Sequence, residues 1–285
     1  MFSDVLVNSE ENVFFYLRPL TYDRHTHTNE FPLFDHFFRH DPLFSRGNTG
    51  KAVVYIHTGG TGLLAEDIHG QKGSNIVYND LDLDQINRLP DTQLHRNVDL
   101  CIINASQMNP LIKSVIVCPS IIYGRGSGLF KRQNITFIKL IEIALQQGKL
   151  QMIGSGEATW NNIHIDDLVD AYMILFNELR NVCRSDVKPN RYLTTGSEGY
   201  YFVENGRNTW KEMFEKLLEM LSKKRLIQSS NVTKFAWFFG SQSNATAQKL
   251  RKLGWKPSRS SLFDAFDQEI DHFLSEKNSF VFSSK

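Results

Sequence analysis

The sequence has few of the features that mark secreted, membrane-embedded or nucleic-acid-binding proteins. Its three cysteines, Cys101, Cys118 and Cys183, are widely spaced and odd in number, which argues against a disulfide framework or a Cys-x-x-Cys metal pair. The net charge of +1 gives no electrostatic reason to expect nucleic acid or an anionic membrane as a partner. No run of about 18 apolar residues occurs, so no membrane span is expected. The amino terminus does not read as a signal peptide, and these absences together predict a cytoplasmic protein.

Short apolar runs alternate with helical segments from residue 52 onward. The runs AVVYIH (52–57), KSVIVC (113–118), LQMIG (150–154) and RYLTTG (191–196) predict buried strands. Helices are expected over 84–108 with an interruption at Pro90, and over 136–147, 164–180, 209–223, 243–253 and 261–274. Residues 1–50 are rich in Phe and His and show no sustained period. Strands that alternate with helices predict an α/β fold with a parallel sheet.

Two of the predicted strands end in turns that suit a ligand site. The first ends in Thr-Gly-Gly-Thr-Gly at residues 58–62, and the second ends at Pro119. Ligands of open parallel sheets lie beyond the carboxyl ends of the strands. The glycines would let the backbone approach a ligand, Thr58 and Thr61 offer hydroxyl groups, and Pro119 would form a rigid wall. The alternative is that the glycine turn is only a connection between a strand and a loop.

Four segments, in this order along the chain, resemble the extended short-chain dehydrogenase/reductase superfamily, also called the NAD-dependent epimerase/dehydratase family. They are VVYIHTGGTG, VIVCPSIIYGRG, GSGEATWNNIHIDDLVDAY and AQKLRKLGWKP, and they span roughly residues 51–272. The nearest resemblance is to an atypical, fungal-type branch. It implies an incomplete Rossmann-like parallel sheet flanked by helices, with a smaller carboxyl-terminal α/β region. The expected organisation is a divergent segment at 1–50, half of a Rossmann-like domain at 51–124, and a substrate-type region at 125–285.

The resemblance also implies an activity and a set of site residues. Relatives transfer hydride between NAD or NADP and a carbonyl or hydroxyl carbon, so an unknown small molecule of that kind is the expected substrate. Thr58 or Thr61 would bind the substrate oxygen, and His95 is the candidate to carry the proton in place of the tyrosine of those relatives. No metal site is expected. The expected cofactor contacts are Gly59, Gly60, Pro119, Ile122 and Tyr123.

The sequence departs from these relatives at two motifs. None of its 18 glycines gives the spacing G-x-x-G-x-x-G or G-x-G-x-x-G that brings a dinucleotide phosphate close to a helix amino terminus. None of its nine tyrosines has a lysine four residues further on, so the Tyr-x-x-x-Lys pair is absent and the corresponding helix carries HRNVD, which begins at His95. The second hypothesis is therefore a catalytically inactive relative, or a truncated product, that acts only as a binding protein.

Several histidines have ordinary structural alternatives to a functional role. His95 could be an exposed helix residue, and His164, which precedes two acidic residues, could make a structural contact that caps a helix. His36 and His40 have the spacing of two metal ligands on one helix face, but Pro32 and Pro42 bracket the segment and no cysteine accompanies it. We also expect the Phe-rich leader to cover the edge of the strand at 52–57, because an uncovered apolar strand edge favours aggregation.

Overall fold

The structure is a computed structural model of the 285-residue chain. It describes residues 7–8, 14–15, 17–18, 52–128, 135–150, 152–182, 188–227 and 237–282. The first three ranges and residues 135, 237 and 276–282 are described by their backbone alone.

Most strands of the described residues have two to four residues, and β4, β7 and β9 are longer. In chain order they are β1 (Val7–Asn8), β2 (Phe14–Phe15), β3 (Leu17–Arg18), β4 (Val53–Thr58), β5 (Glu66–Asp67), β6 (Tyr78–Asn79), β7 (Ile112–Pro119), β8 (Ile121–Tyr123), β9 (Thr159–His164), β10 (Tyr200–Val203), β11 (Arg207–Thr209), β12 (Ser241–Gln242) and β13 (Ala245–Thr246). The helices are α1 (Leu83–Asn87), α2 (Arg96–Met108), α3 (Ile135–Gln147), α4 (Ile165–Val182), α5 (Trp210–Lys223), α6 (Gln248–Lys252) and α7 (Leu262–Phe282).

The main sheet contains four parallel strands in the spatial order β10-β7-β4-β3. Strands β4 and β7 pair along the whole of β4, with Val53 opposite Ile112 and Thr58 opposite Val117. Almost every side chain of these two strands is buried, as expected for a parallel sheet covered by helices on both faces. The predicted α/β class with a parallel sheet is confirmed, and the two strands that end in the glycine turn and at Pro119 lie side by side.

The outer edge of β4 is paired with a strand from the amino-terminal segment. In β3, Leu17 lies opposite Ile56 and Arg18 lies opposite His57. Part of residues 1–50 therefore pairs with the outer edge of β4, which the sequence had led us to expect to be covered. Apart from β1, β2 and β3, the Phe-rich leader lies outside the described residues.

A second, three-stranded sheet has the order β11-β9-β8 and combines one antiparallel pair with one parallel pair. Its parallel strands end side by side, with Tyr123 opposite His164. Two clusters of buried apolar side chains accompany the two sheets. One surrounds the main sheet and includes Val54 and Trp255, and the other packs α3, α5 and α7 around Trp210.

Two predicted strands were wrong. Residues 191–195 of RYLTTG form a turn and irregular chain, because the amide and the carbonyl of Thr194 both bond to the hydroxyl of Tyr201, at 2.7 and 2.8 Å. The strand lies further along, in the fully buried run YYFV of β10. Of LQMIG, the four residues that are described lie outside any strand.

Strand β9 forms from the sequence TWNNIH although it contains two asparagines, which are depleted in strands. Both asparagines are buried, and the structure satisfies their amides. Asn161 accepts from the amide of Ala245, and Asn162 donates to the side chain of Asn208. Buried amides with such partners carry little penalty, so tertiary contacts override the local preference here.

Most predicted helices occur, with shifts at their ends, but of the helix expected over 243–253 only α6 (Gln248–Lys252) forms, and β13 (Ala245–Thr246) lies in the rest. The expected capping box of α5 is confirmed, because the side chain of Thr209 accepts from the amide of Glu212 and the carboxylate of Glu212 accepts from the amide of Thr209. The helix expected over 84–108 is present as α1 and α2, separated around Pro90. Among the described residues, no helix has both the length and the apolar character that a bilayer crossing requires.

Candidate functional site

The turn after β4 begins at the carboxyl edge of the main sheet. The amide of Gly59 continues the pairing by donating to the carbonyl of Val117 at 2.9 Å, and a short 3-10 turn over Thr61–Leu64 then leads the chain away. Gly60 has an extended backbone conformation, so it does not depend on a left-handed φ. The carboxyl ends of β4 and β7 therefore form one continuous edge, which is where ligands of open α/β sheets bind.

Thr58 is held by a residue that the sequence had not indicated. Its Oγ1 lies 2.5 Å from the hydroxyl oxygen of Tyr172, which belongs to α4. Burial raises the pKa of the Tyr172 phenol well above its usual range, although the bond to Thr58 acts in the opposite direction. Both hydroxyls are therefore neutral at physiological pH, and each can donate or accept.

His95 lies against the glycine turn and is not the exposed helix residue of the alternative interpretation. It precedes α2 with a left-handed φ of 68° and is half-buried. A Cβ added to Gly60 would lie 3.1 Å from its Nε2 atom, and one added to Gly62 would lie 3.3 Å from it. Burial lowers the pKa of the imidazole, so the neutral form predominates near pH 7.

Thr61 lies between the two glycines that face His95. Its side chain is buried, and its Oγ1 has no hydrogen-bond partner among the described residues. Its backbone carbonyl accepts from the hydroxyl of Ser243 at 2.7 Å, which fixes the turn against the carboxyl-terminal region. A buried hydroxyl without a partner carries a desolvation cost, and a ligand oxygen could relieve that cost.

A buried polar network lies beneath the same turn. Arg96 donates to the hydroxyl of Tyr200 at 2.8 Å, and that hydroxyl donates to Asp99 at 3.2 Å. The other oxygen of Asp99 lies 3.8 Å from Nε2 of His57 and 3.3 Å from the position of a Cβ added to Gly59. Burial raises the pKa of Asp99 to about 7, against the opposing effects of Tyr200 and Arg96.

The remaining residues expected to contact a cofactor lie on two different strands. Pro119 is buried at the end of β7, opposite Val203 of β10. Ile122 is half-buried on β8, in the second sheet. Tyr123 donates its hydroxyl to the carbonyl of Ser260 at 2.7 Å, and burial raises the pKa of that phenol to about 12. The hydroxyl of Tyr123 is therefore already engaged within the protein.

The described residues suit the flat nicotinamide ring of a dinucleotide but not its phosphates. The phosphates of such cofactors bind at the switch point of a sheet, where the strand order reverses. The order β3, β4, β7, β10 runs in one direction without a reversal among the described strands. The glycine turn is also packed by the side chains of His95 and Asp99 on the faces where added Cβ atoms would lie. These residues can thus supply a wall for a flat ring, but they supply no phosphate cradle.

His164 makes a helix-capping contact, which was the structural alternative to a functional role. Its Nδ1 accepts from the amide of Asp166 at 3.1 Å, at the amino end of α4. His36 and His40, considered as metal ligands, lie outside the described residues. Within the part of the chain that the structure describes, no three His, Cys, Asp or Glu side chains are grouped so that they could hold a metal ion.

Tyr172, Asp99 and Tyr200 are the site residues that the sequence interpretation missed. Tyr172 follows Leu168 by four residues on the apolar stripe of α4, so its burial was predictable, but its bonding partner was not. Asp99 lies close to Ile102 and Ile103 on the buried face of α2, and an acidic residue on such a face is the signal that was available. Both hydrogen bonds to Tyr200 join residues about a hundred positions apart, which local pattern does not encode.

Comparison with known proteins gives a fold and one related sequence. No protein-family model matches the chain. It is 27% identical over 221 residues to oxidase ucsJ of an Acremonium species, an alignment that covers 71% of this chain and 64% of that oxidase. This chain therefore spans less than two thirds of the length of that relative.

The solved structures that resemble this chain include nucleotide-sugar epimerases and dehydratases. UDP-glucuronic acid 4-epimerase of Bacillus cereus, solved with UDP-glucuronic acid and NAD, has a TM-score of 0.54 and 18% identity, over 81% of this chain and 65% of that one. dTDP-glucose 4,6-dehydratase of Bacillus anthracis, solved with NAD, has a TM-score of 0.53 and 14% identity, over 83% and 66%. At these identities the likeness establishes the Rossmann-like α/β fold, and it confirms the expected resemblance at that level.

Proposed function

We propose that the chain is an oxidoreductase-like protein of the NAD(P)-dependent kind, acting on a small carbonyl or hydroxyl compound at the carboxyl ends of β4 and β7. The observation that carries the proposal is the contact of the His95 imidazole with the glycine turn, because it brings a titratable group to the edge where such sheets bind ligands. The fold shared with NAD-containing epimerases and dehydratases, and the sequence similarity to an oxidase, support the same class of chemistry.

In this proposal each polar residue of the turn has one task. The unpartnered hydroxyl of Thr61 donates to the substrate oxygen. The hydroxyl of Thr58, oriented by Tyr172, provides a second contact to that oxygen. His95, neutral because burial lowers its pKa, accepts the proton when an alcohol is oxidised and returns it when a carbonyl is reduced.

The nicotinamide end of NAD or NADP would lie beside the same edge. Gly59, Gly60 and Pro119 would form its wall, with Ile122 beyond them, and the ring of Tyr123 is held in place by the bond to Ser260. When bound, nicotinamide supplies the acceptance or donation of hydride. A phosphate cradle would have to come from groups other than the described residues.

Cofactor titration of the purified chain tests the proposal directly. NAD, NADP and their reduced forms are added while binding is followed by calorimetry and by nicotinamide fluorescence. We expect saturable binding of one of them, and turnover of a small alcohol or carbonyl compound that falls about 100-fold or more in His95→Asn. The matched control is His69→Asn, whose side chain is 82% exposed and lies away from the turn. Absence of binding at millimolar cofactor would contradict the proposal for this chain.

The second candidate is a protein that binds a small molecule without transforming it. One observation favours this candidate. Asp99, part of a buried polar network, stands four positions after His95, where the Tyr-x-x-x-Lys pair would have the lysine that activates a proton donor. Small carbonyl or hydroxyl compounds would then bind at the turn with no cofactor present. Saturable binding of such a compound that Thr61→Val weakens, without any cofactor binding or turnover, would favour this candidate.

A further inference from the structure

A cavity of about 360 Å³ lies at the carboxyl ends of the parallel strands β8 and β9, apart from the glycine turn. Its walls include Gly124 and His164, which follow or end these strands, and Ser260, Asp264 and Glu269 from the region of α7. The carboxyl ends of parallel strands are the usual place for a ligand, and the volume lies within the range of small-molecule sites. Nothing in the proposed oxidoreductase chemistry uses this cavity.

Three groups meet at Gly124. Its amide donates to Oε1 of Glu269 at 2.5 Å, which joins the end of β8 to α7. Gly124 has a φ of 86°, and a Cβ added to it would lie 2.5 Å from Nε2 of His164. Glycine is therefore strongly favoured at this position, and it brings a carboxylate and an imidazole to the same wall.

The hydrogen bonds around His164 define what its ring can offer. Because Nδ1 accepts from the amide of Asp166, the neutral ring carries its proton on Nε2, which lies beside the cavity. The ring packs edge-on against Tyr123, with centroids 5.3 Å apart, and Tyr123 is itself bonded to Ser260. His164 therefore presents an Nε2–H hydrogen-bond donor whose orientation is fixed.

Glu269 differs from the other carboxylates of the cavity. Asp264 accepts from the amide and the hydroxyl of Ser261, as part of the amino end of α7, and Asp271 is paired with Lys224. Glu269 has a single donor among the described residues, the amide of Gly124. Burial raises the pKa of Glu269 to about 7, and a cation bound beside it would shift the equilibrium back towards the ionised carboxylate.

We propose that this cavity binds a small amino alcohol, whose ammonium group contacts the Glu269 carboxylate and whose hydroxyl oxygen accepts from Nε2 of His164. An anionic ligand is disfavoured, because three carboxylates line the cavity against the single exposed guanidinium of Arg125. A simple alkylamine would satisfy Glu269 and leave the imidazole donor without a partner. A diol would leave the half-buried Glu269 carboxylate without a counter-charge.

The test is calorimetric or NMR titration of the full chain with 2-aminoethanol, compared with propylamine, ethylene glycol and glycolate. We expect 2-aminoethanol to bind most tightly and glycolate least. Glu269→Gln should weaken 2-aminoethanol binding about tenfold or more, because it removes a charge-assisted contact. Glu215→Gln, at an exposed residue of α5 outside the cavity, should leave the binding unchanged.

Two further measurements keep the test decisive. Gln268→Trp alters an exposed residue of the cavity wall, so it should leave the fold intact and block binding by filling the opening even if Glu269→Gln unfolds. Binding should also strengthen from pH 6 to pH 8 as Glu269 loses its proton. The other charged or titratable groups that line the cavity, Arg125 and His164 from outside α7 and Asp264, Asp271 and His272 from α7 itself, are the same in all variants. Equal binding by Gln268→Trp, tighter binding of glycolate, or no binding at millimolar 2-aminoethanol would overturn the proposal.

Discussion

The hydroxyl oxygen of Tyr172 lies 2.5 Å from Oγ1 of Thr58, and this contact joins α4 to the carboxyl end of the central strand β4. The two residues are 114 positions apart in the sequence. The contact therefore fixes both the rotamer of a proposed substrate-binding hydroxyl and the position of the helix that follows β9.

The bond between Thr58 and Tyr172 should contribute measurably to stability. Tyr172→Phe and Thr58→Val should each lower the free energy of unfolding by about 1–2 kcal/mol. Each variant removes one hydroxyl and leaves the other hydroxyl without its hydrogen-bond partner. The double variant should show a coupling energy of about 1 kcal/mol in urea unfolding. Tyr192→Phe, whose hydroxyl bonds to Arg191 at the surface, should change stability by less than about 0.5 kcal/mol. Additive single effects would mean that the two hydroxyls do not interact.

Replacement of Gly124 by alanine should be much more damaging than replacement of a comparable glycine elsewhere. Gly124 and Gly148 both have positive φ, at 86° and 64°, so alanine strains the backbone at each by about 1–2 kcal/mol. Only at Gly124 would the new Cβ also meet the imidazole of His164, because Gly148 has nothing within 4 Å. Thermal and urea unfolding should therefore show an extra loss of about 1–3 kcal/mol for Gly124→Ala. Equal losses would show that the ring moves without cost.

Asp99 should make stability depend on pH in a defined direction. Its pKa in the folded chain, about 7, lies above its ordinary value of 3.8, so between about pH 4 and pH 7 the folded chain binds more protons at this group than the unfolded chain does. The contribution of Asp99 to the free energy of unfolding is therefore highest at low pH and falls as the pH rises through that window. The stability of Asp99→Asn relative to the unchanged chain should rise from pH 5 to pH 8 in urea unfolding. His95, whose pKa is lowered, also makes stability depend on pH, but it is present in both proteins, so its contribution cancels in the difference between them.

The control for this measurement is Asp91→Asn, at an exposed position. Its stability difference from the unchanged chain should stay constant across the same pH range. A constant difference for Asp99→Asn as well would mean that the carboxyl group is already ionised in the folded protein.

Deletion of residues 1–45 should make the protein less soluble. The deletion removes β3 and leaves one edge of β4 unpaired, and an apolar strand with an open edge can pair with another chain. The soluble fraction and the melting temperature should both fall, and light scattering should report aggregates at concentrations where the full chain is monodisperse. Unchanged solubility and melting temperature would mean that β3 does not protect the sheet.

The two central strands and the class of the fold were predictable from the sequence. Strands β4 and β7 are short apolar runs that end at a glycine turn and at Pro119, and these signals act within a few residues of the chain. The capping box at Thr209 is local in the same sense. Strand β10 was placed too early because the bonds that hold Thr194 in an irregular segment come from Tyr201, seven residues away.

The candidate site was predictable only in part. The sequence indicated Thr58, Thr61 and His95, and His95 does lie against the glycine turn; the catalytic and cofactor-binding roles of these residues stay predictions. The partners that determine their chemistry were not predictable, because Tyr172 and Tyr200 approach from distant parts of the chain. The same holds for the contact between Gly124 and Glu269, which spans 145 positions. Such contacts depend on how helices pack on the sheet, which periodicity does not specify.

The order β3, β4, β7, β10 has a consequence for how the chain assembles during synthesis. Each of these strands pairs with the strand of the main sheet that precedes it in the sequence, so the growing polypeptide can add each new strand beside one that has already emerged from the ribosome. The carboxyl-terminal helices would then close over a sheet that is already paired. A nascent chain stalled after residue 170, when β7 has emerged, should accordingly resist proteolysis at β4 and β7 before α7 has been translated.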